Sequence, residues 1–529
     1  MSETSSAPDK SEQGGIARAA GIIALGSIFS RVLGLVREQI IAFFFGASGL
    51  VSAFSIAAMI PTMIYDLLIG GMLSAALVPV FSQVAEREGN EALWAVFSRV
   101  VSLVAVVLAA ILLLLEALAL PVAKLLGPGF DPTLQAVLAR MIRLIAPAVF
   151  FFGLSGVVTG LLYTLKRFTY PAFGAAIFNL GIIVAVPLLA GRIDAYSLSI
   201  GVLLGSLLQL LIQVPDLRDV RFRFRLDLAH PALRRILVLY LPIALGLIVS
   251  NVQIVIDRRL ASSTGESSIA WMRDATTLIQ LPHGLVAVAI SLAVLPTLSR
   301  LSASGDMEGF RQTLGLGLRL VLILIVPATL GLLILAGPVI ALVFEHGKFT
   351  PYDSFWSAWA LRYYLTGLIF AAIDWPLNYA FYARQDTLTP AVVGILSVGV
   401  YLAVALTLLQ PLGMLGLVLA DSAKHFSHAL MMLILTWRRI GSLADLRLGQ
   451  TAGKALFAAG IMAGVMALAL NLVVRFVNSS GLVGELVAVA VTIGLGVLVY
   501  LGLISLLRVE EVSSLRLLVR QRLGRSNLD

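Results

Sequence analysis

Apolar runs of roughly 20 residues recur from about residue 16 to residue 508, separated by short polar or basic connectors. A helix of about 20 residues crosses a hydrocarbon core of about 30 Å. No run shows the period-2 alternation of barrel strands. Each run therefore predicts a helix that satisfies its own backbone polar groups. Fourteen spans are predicted, near 16–45, 49–82, 92–126, 133–165, 170–190, 195–215, 236–262, 267–300, 310–344, 353–383, 387–409, 412–437, 450–475 and 481–507. The polar opening "MSETSSAPDKSEQGG" carries no basic n-region and no small-residue cleavage site, so residues 1–15 predict a disordered tail.

Composition agrees with this pattern. Of 529 residues, 59% are hydrophobic and only 13% charged, and the mean hydropathy is +0.98; soluble domains carry about 25% charged residues. The fold class read from the chain is an all-α polytopic membrane protein. Basic residues set the expected orientation. The connector after the sixth span holds Arg218, Arg221, Arg223, Arg225, Arg234 and Arg235, and Lys166, Arg167, Arg438, Arg439 and Arg447 fall on the same predicted side. So does the tail, with Arg516, Arg520, Arg522 and Arg525. The positive-inside rule then puts both termini in the cytoplasm. Anionic headgroups account for the net charge of +9, which gives no support to nucleic-acid binding. With no cysteine, disulfide and thiol chemistry are excluded.

The chain also matches itself at an offset of about 217 to 220 residues. "LGSIFSRVLGLVRE" at Leu25 aligns with "LGLIVSNVQIVIDR" at Leu245, "LVPVFSQ" around Pro79 with "VLPTLSR" around Pro296, and "TYPAF" at Pro171 with "LTPAV" at Pro390. Two six-helix lobes plus a two-helix tail are predicted. The expected organisation is a tail over 1–15, an N-lobe of helices 1–6 over 16–215, a basic cytoplasmic loop over 216–235, a C-lobe of helices 7–12 over 236–440, two C-terminal helices over 441–508 and a basic tail over 509–529. Six is even, so both lobes enter from the same side as parallel repeats, an arrangement in which transporters bind substrate between lobes. Duplication of a purely structural bundle is the plainer reading.

Charges inside such helices cost roughly 2.5–3.5 kcal/mol each at the bilayer centre and should face protein or water. In the first span, Ser27, Arg31, Gly34 and Glu38 share a helical face at about 100° per residue, with Arg37 about 90° around from it. The repeat sets Arg31 opposite Asn251, Arg37 opposite Asp257 and Glu38 opposite Arg258. Opposite charges at related positions could form gate pairs, Arg37 with Asp257 and Glu38 with Arg258. They could equally be fixed ion pairs or side chains reaching for headgroups. Asp66 in the second span, and Arg273 with Asp274 in the eighth, belong to the flanking helices. Asp421, Lys424, His425 and His428 form one stripe, readable as an ion relay, a metal site or, preferably, a polar packing seam, while Asp374 stands in the tenth span. No phosphate-cradling glycine loop with lysine and no nucleophile-base set is present. An enzyme, a resident metal and a cofactor are not expected, and uphill work must draw on an ion gradient such as Na+ or H+, on the membrane potential or on product consumption.

The segments "FSRVLGLVREQIIAFFFGAS" at Phe29, "PGFDP" at Pro128, "LKRFTYPAFGAAIFNLGII" at Leu165, "VIDRRLASS" at Val255, "FEHGKFTPYDS" at Phe344 and "FYARQDTLTPAVVG" at Phe381 closely resemble the MurJ (MviN) family. These are flippases for the peptidoglycan precursor lipid II within the multidrug/oligosaccharidyl-lipid/polysaccharide exporter superfamily. The resemblance implies fourteen helices in two lobes, cytoplasmic termini, inner-membrane location, alternating access and a groove from the last two helices for the lipid tail. It implies that Arg31 and Arg37 match the family's paired arginines, suited to a diphosphate, and that Glu38 matches its acidic neighbour. Arg258 and Arg273 are further substrate-binding candidates; Glu38, Asp257 and Asp66 are gate candidates. Ser52, Tyr65 and Thr277 depart from the pattern, where relatives commonly carry aspartate and two basic groups. The expected partners are lipid II or a similar polyprenyl-diphosphate glycan and anionic lipids, acting on a monomer. The alternatives are an exporter of another such glycan, an ion-coupled exporter of small molecules, and a non-transporting membrane scaffold.

Overall fold

In the computed structural model, the described residues are 10–67, 76–227, 229–442, 444–476, 481–509 and 511. They form fifteen α-helices, α1 Lys10–Phe45, α2 Gly49–Tyr65, α3 Val78–Leu126, α4 Pro132–Thr164, α5 Thr169–Ile193, α6 Tyr196–Leu211, α7 Pro231–Ser262, α8 Ser268–Pro282, α9 Ala289–Ser304, α10 Met307–Phe344, α11 Pro351–Ala383, α12 Leu388–Leu412, α13 Met414–Arg439, α14 Leu448–Phe476 and α15 Leu482–Leu506.

The fourteen predicted spans are accommodated through two irregularities. A π-helical turn, His283–Val288, joins α8 to α9 as one rod; it follows Pro282, whose missing N–H loosens the regular ladder. α3 is two helices fused across Gly89, whose φ of +80° and ψ of 179° lie where a side chain would be strained. Its start overlaps the end of the second predicted span, of which residues 68–75 lie outside the described residues, and the remainder covers the third. The expected tail over 1–15 lies in part outside the described residues, α1 beginning at Lys10, and of the tail over 509–529 only Val509 and Glu511 are described.

Among the described residues, nine helical stretches are long and apolar enough to cross a membrane. α1, α7, α11 and α13 match them in length but carry charges within. Apolar side chains also point out of the protein: Leu113, Leu188, Leu388 and Leu498 are 69 to 72% exposed. That surface would be costly in water and costs nothing against acyl chains.

The chain divides into two compact units. Unit one comprises Met1–Ala270 with Gly347–Phe349. Its centre is α4, which packs on α2, α3 and α6 and buries Met141, Ile145, Val149 and Leu161. Small residues bring the helices close, as membrane packing requires. A Cβ added at Gly181 would lie 2.3 Å from Gly205 Cα between α5 and α6, and one at Gly26 would lie 2.2 Å from the Ala172 carbonyl between α1 and α5. α7, which the repeat pairs with α1, packs on α3 here. The arginine-rich connector runs along α3, where the amides of Arg223 and Arg225 donate to Ser98 Oγ at 3.1 Å and Ser102 Oγ at 3.0 Å, one turn apart. Arg99 pairs with Asp227 at 3.2 Å beyond them.

Unit two comprises Trp271–His346 and Thr350–Asp529. α11 packs on α9, α10 and α13, and α12 on α13. A Cβ at Gly367 would lie 2.7 Å from Ser422 Cα, so α11 and α13 touch almost backbone to backbone. The α14–α15 hairpin leans on α10, and Tyr500 Oη donates to the Ile323 carbonyl at 2.7 Å.

Candidate functional site

The charged stretch of α1 is held by α5. Arg37 and Glu38 are adjacent, and the guanidinium folds back so that Nε donates to Glu38 Oε1 at 3.0 Å, with Nη2 bound to the same oxygen. Nη1 donates to Asn179 Oδ1 at 2.9 Å. Asn179 Nδ2 donates in turn to the Ser30 carbonyl at 3.1 Å, two turns earlier on α1. The carboxamide thus has a fixed sense: its oxygen faces the cation and its nitrogen faces the α1 backbone. Gly34 lies beside it, and a Cβ there would make an ordinary contact with Asn179 Nδ2 at 3.7 Å. Glu38 is 3% exposed, while the Arg37 side chain keeps 26% exposure. Burying the carboxylate is tolerable because charge-assisted bonds reach it, and Arg37 retains a face for a further anion.

Arg31 differs. It is exposed, and six residues of helix separate it from Arg37 by about 9 Å along the axis and about 120° around it. The two arginines therefore offer guanidinium groups to different sides of α1. Gln39 and Glu38 follow Arg37 into the part of the helix that buries Ile41, Ala42 and Phe45.

The other candidates are distributed. Asp66 caps α2 and is exposed. Asp257 and Arg258 are half-buried near the end of α7, with Arg259 exposed beside them; all belong to unit one. Arg273, half-buried on α8, belongs to unit two, and its carbonyl accepts from Thr276 and Thr277 Oγ1 at 2.9 Å each. The three departures from the family pattern have local roles. Ser52 is fully buried and its Oγ accepts from the Ala270 amide at 3.2 Å. Tyr65 packs its ring 5.9 Å from that of Phe152, and Thr277 bonds its own helix.

In unit two the stripe on α13 is knitted into its surroundings. Lys424 Nζ meets Asp421 at 2.6 Å, and His428 Nδ1 lies 2.8 Å from Asp374 Oδ1 on α11. The His283 ring stands edge-on to Trp375 and its Nε2 is 3.4 Å from the Ala371 carbonyl. Among the described residues no group of three or more His, Cys, Asp or Glu is placed to hold a metal. Unit two also contains an apolar groove of about 1200 Å³. α8 and α10 line one wall with Leu278, Pro282, Leu324 and Leu332, and α14 and α15 the other with Met462, Met466, Ile493 and Leu501.

Asn179 escaped sequence reasoning although it lies inside one of the family-like segments. The available signal was a carboxamide in an otherwise apolar span, where polar groups mark partners.

Fold and site together define an integral membrane protein of the transporter class. Its fold is that of a multidrug resistance MATE family transporter of the MOP superfamily in an inward-facing conformation (TM-score 0.68, 14% identity, 79% of this chain and 96% of that one). It matches more fully a lipid II flippase MurJ in its inward closed conformation (TM-score 0.78, 25% identity, 92% and 98%). The family model for lipid II flippase MurJ matches residues 41–492, and the chain belongs to that family. Among relatives, the lipid II flippase MurJ of Burkholderia cenocepacia is 31% identical over 70% of this chain and 73% of its own length. The probable lipid II flippase MurJ of Vibrio cholerae is 28% identical over 92% and 95%.

Proposed function

We propose that this protein flips lipid II from the inner to the outer leaflet of the bacterial cytoplasmic membrane by alternating access, with both termini in the cytoplasm. Membership of the MurJ family over residues 41–492 carries this reading. The reading assigns a division of labour. Arg31 and Arg37, with Arg258 and Arg273, bind the diphosphate, because a guanidinium cannot lose its charge and offers a fork of donors to phosphate oxygens. Asn179 and Glu38 hold Arg37 in place, a positioning role. The groove of α8, α10, α14 and α15 takes the polyprenyl tail, so that the apolar part of the substrate stays out of water throughout. Glu38, Asp257 and Asp66 act in gating, and a Na+ or H+ gradient or the membrane potential supplies direction. The protein works as a transporter without covalent chemistry.

The test is depletion of the protein followed by identification of the lipid-linked intermediate left on the inner leaflet, with rescue by Arg31→Ala and Arg37→Ala variants. Lipid II should accumulate and neither variant should restore growth. Accumulation of a different polyprenyl-linked glycan, or full rescue by both variants, overturns the proposal.

A further inference from the structure

Three of the chain's five histidines, His283, His425 and His428, gather in unit two with Asp374, Asp421 and Lys424. Asp374 stands nine residues before Ala383, the end of α11, and His428 eleven before Arg439, the end of α13. At about 1.5 Å per residue both lie about 13 to 17 Å inside those ends, near the middle of a hydrocarbon core of about 30 Å. His428 Nδ1 meets Asp374 Oδ1 at 2.8 Å across the two helices. From the elements packed on α11, the charged or titratable groups that face Asp374 are His428 and Lys424 of α13 and His283, which opens the π-helical turn. Asp421, Lys424, His283 and His428 face His425. Turns of this kind recur at functional sites, and ionisable groups at membrane depth mark ion and proton paths.

Asp421 is met by the Lys424 ammonium at 2.6 Å, so with neutral imidazoles the cluster keeps one negative charge, that of Asp374. A single proton on the pair of Asp374 and His428 brings the sum to zero, and its departure restores a charge that hydrocarbon disfavours. A metal cation wants a shell of oxygens; these carboxylates face an ammonium and an imidazole nitrogen instead. Exposure also falls along the stripe. The side chains of His425 and Asp421 are 33% and 27% exposed, those of His428 and Asp374 14% and 10%. A polar route therefore leads along α13 from the surface of the unit to a nearly closed pair.

We propose that Asp374 and His428 form a proton-binding site, loaded by way of Asp421 and His425, and that inward passage of this proton drives outward movement of the lipid. The coupling ion is then H+ rather than Na+, held on α11 and α13. The coupling rests on the flippase reading; the proton site does not. A packing seam would need only the hydrogen bond, which amide isosteres retain, whereas a proton site needs the change of charge, which they lack.

Two measurements use the full-length protein reconstituted in phosphatidylcholine vesicles. Infrared difference spectra are recorded on stepping the pH from about 8 to about 5, the range in which histidine ordinarily titrates. Wild type should show uptake of about one proton by a carboxyl and imidazole pair. Asp374→Asn and His428→Gln should lack that signal, and Asp374→Glu should keep it. In the second measurement, labelled lipid II distributes under an imposed pH gradient with the potential clamped by K+ and valinomycin. Exchange of one proton per lipid should enrich the leaflet facing the acidic side, by up to about tenfold per pH unit. A Na+ gradient should enrich neither leaflet, and Asp374→Asn and His428→Gln should abolish the response to pH. Absence of the infrared signal from wild type, or its persistence in both folded isosteres, would overturn the site. Enrichment that survives in those variants, or that Na+ alone drives, would overturn the coupling. If wild type moves no lipid II under any condition, the flippase reading and the coupling fall together, and the spectra still decide the proton site.

Discussion

Substituting Asn179 by leucine keeps the branching and heavy-atom count of the side chain and removes both bonds by which α5 holds Arg37 against α1. The carboxamide is 5% exposed, so water does not replace them. Interhelical hydrogen bonds in membrane proteins average about 0.6 kcal/mol, with a maximum near 1.7, and bonds to charged groups run about 1.5–3 kcal/mol. The Asn179 to Ser30 bond belongs to the first class and the Asn179 to Arg37 bond to the upper end of both. Asn179→Leu should therefore cost about 2 kcal/mol in reversible unfolding in micelles. The decisive quantity is its coupling to Arg37. In a cycle of Asn179→Leu, Arg37→Ala and the double variant, the pair should show a coupling of about 1–2 kcal/mol, above the roughly 0.3–0.5 kcal/mol scatter of independent sites. In a depletion strain, Asn179→Leu should lose complementation nearly as fully as Arg37→Ala, because a guanidinium released from α5 can turn wholly toward Glu38. Additive stabilities within that scatter, or wild-type complementation by a folded Asn179→Leu protein, would refute the idea that the carboxamide positions the cation.

Gly181→Ala should cost about 1–3 kcal/mol, the range for overpacking a close contact, since its methyl would meet Gly205 backbone at 2.3 Å; thermal unfolding checks it, and Gly191→Ala, with nothing within 4 Å, is the control. Ser98→Ala with Ser102→Ala frees two amides of the arginine-rich connector, and hydrogen exchange at Arg223 and Arg225 should accelerate about fivefold at each amide if each bond is worth about 1 kcal/mol. In the connector between α11 and α12, burial pushes the Asp386 carboxyl up, but bonds from the Thr389 hydroxyl and amide and the charge of Arg439 outweigh it and hold the group below the usual carboxylate range. A depressed folded value gives stability that is present above the unfolded value, about 3.9, and is lost as pH falls through the folded one. The midpoint difference between wild type and Asp386→Asn should accordingly be full at neutral pH and shrink as pH falls below the unfolded value; a difference that instead grows with acidification would contradict the assignment.

How far the sequence could be read depended on which physical signal each feature leaves behind. Spans are legible because the bilayer sets a length and forbids unpaired backbone, so an apolar run near 20 residues has few other uses. Charges within spans are legible because they are expensive, which is why Arg31, Arg37 and Glu38 stood out. The partner of a charge is another matter. Asn179 lies 142 residues from Arg37, and no periodicity marks which face of α5 meets α1. In water a helix declares its buried face by an apolar stripe, but in lipid both faces are apolar. The same blindness hid the packing of α7 on α3.

The arginine-rich connector shows how an inference from charge alone stops short. Its charges were read as an orientation signal, and the Arg223 and Arg225 side chains are indeed exposed. Their backbone amides, however, are bound to serines spaced four apart on α3, so the segment is strapped along a helix. Serine in a helix usually bonds its own turn, and Ser102 does accept that role, donating to the Ser98 carbonyl at 2.7 Å. A hydroxyl has one donor and two lone pairs, so the same group can also accept an amide from outside. That double use accounts for Ser102, fully buried at 0% exposure, while Ser98, at 2%, accepts the Arg223 amide and donates to the Arg221 carbonyl at 3.5 Å, both in the connector. It also makes the strap sensitive to loss of hydroxyl oxygen alone: Ser98→Ala and Ser102→Ala leave the charge of the connector, and any pull it has toward anionic lipid, unchanged.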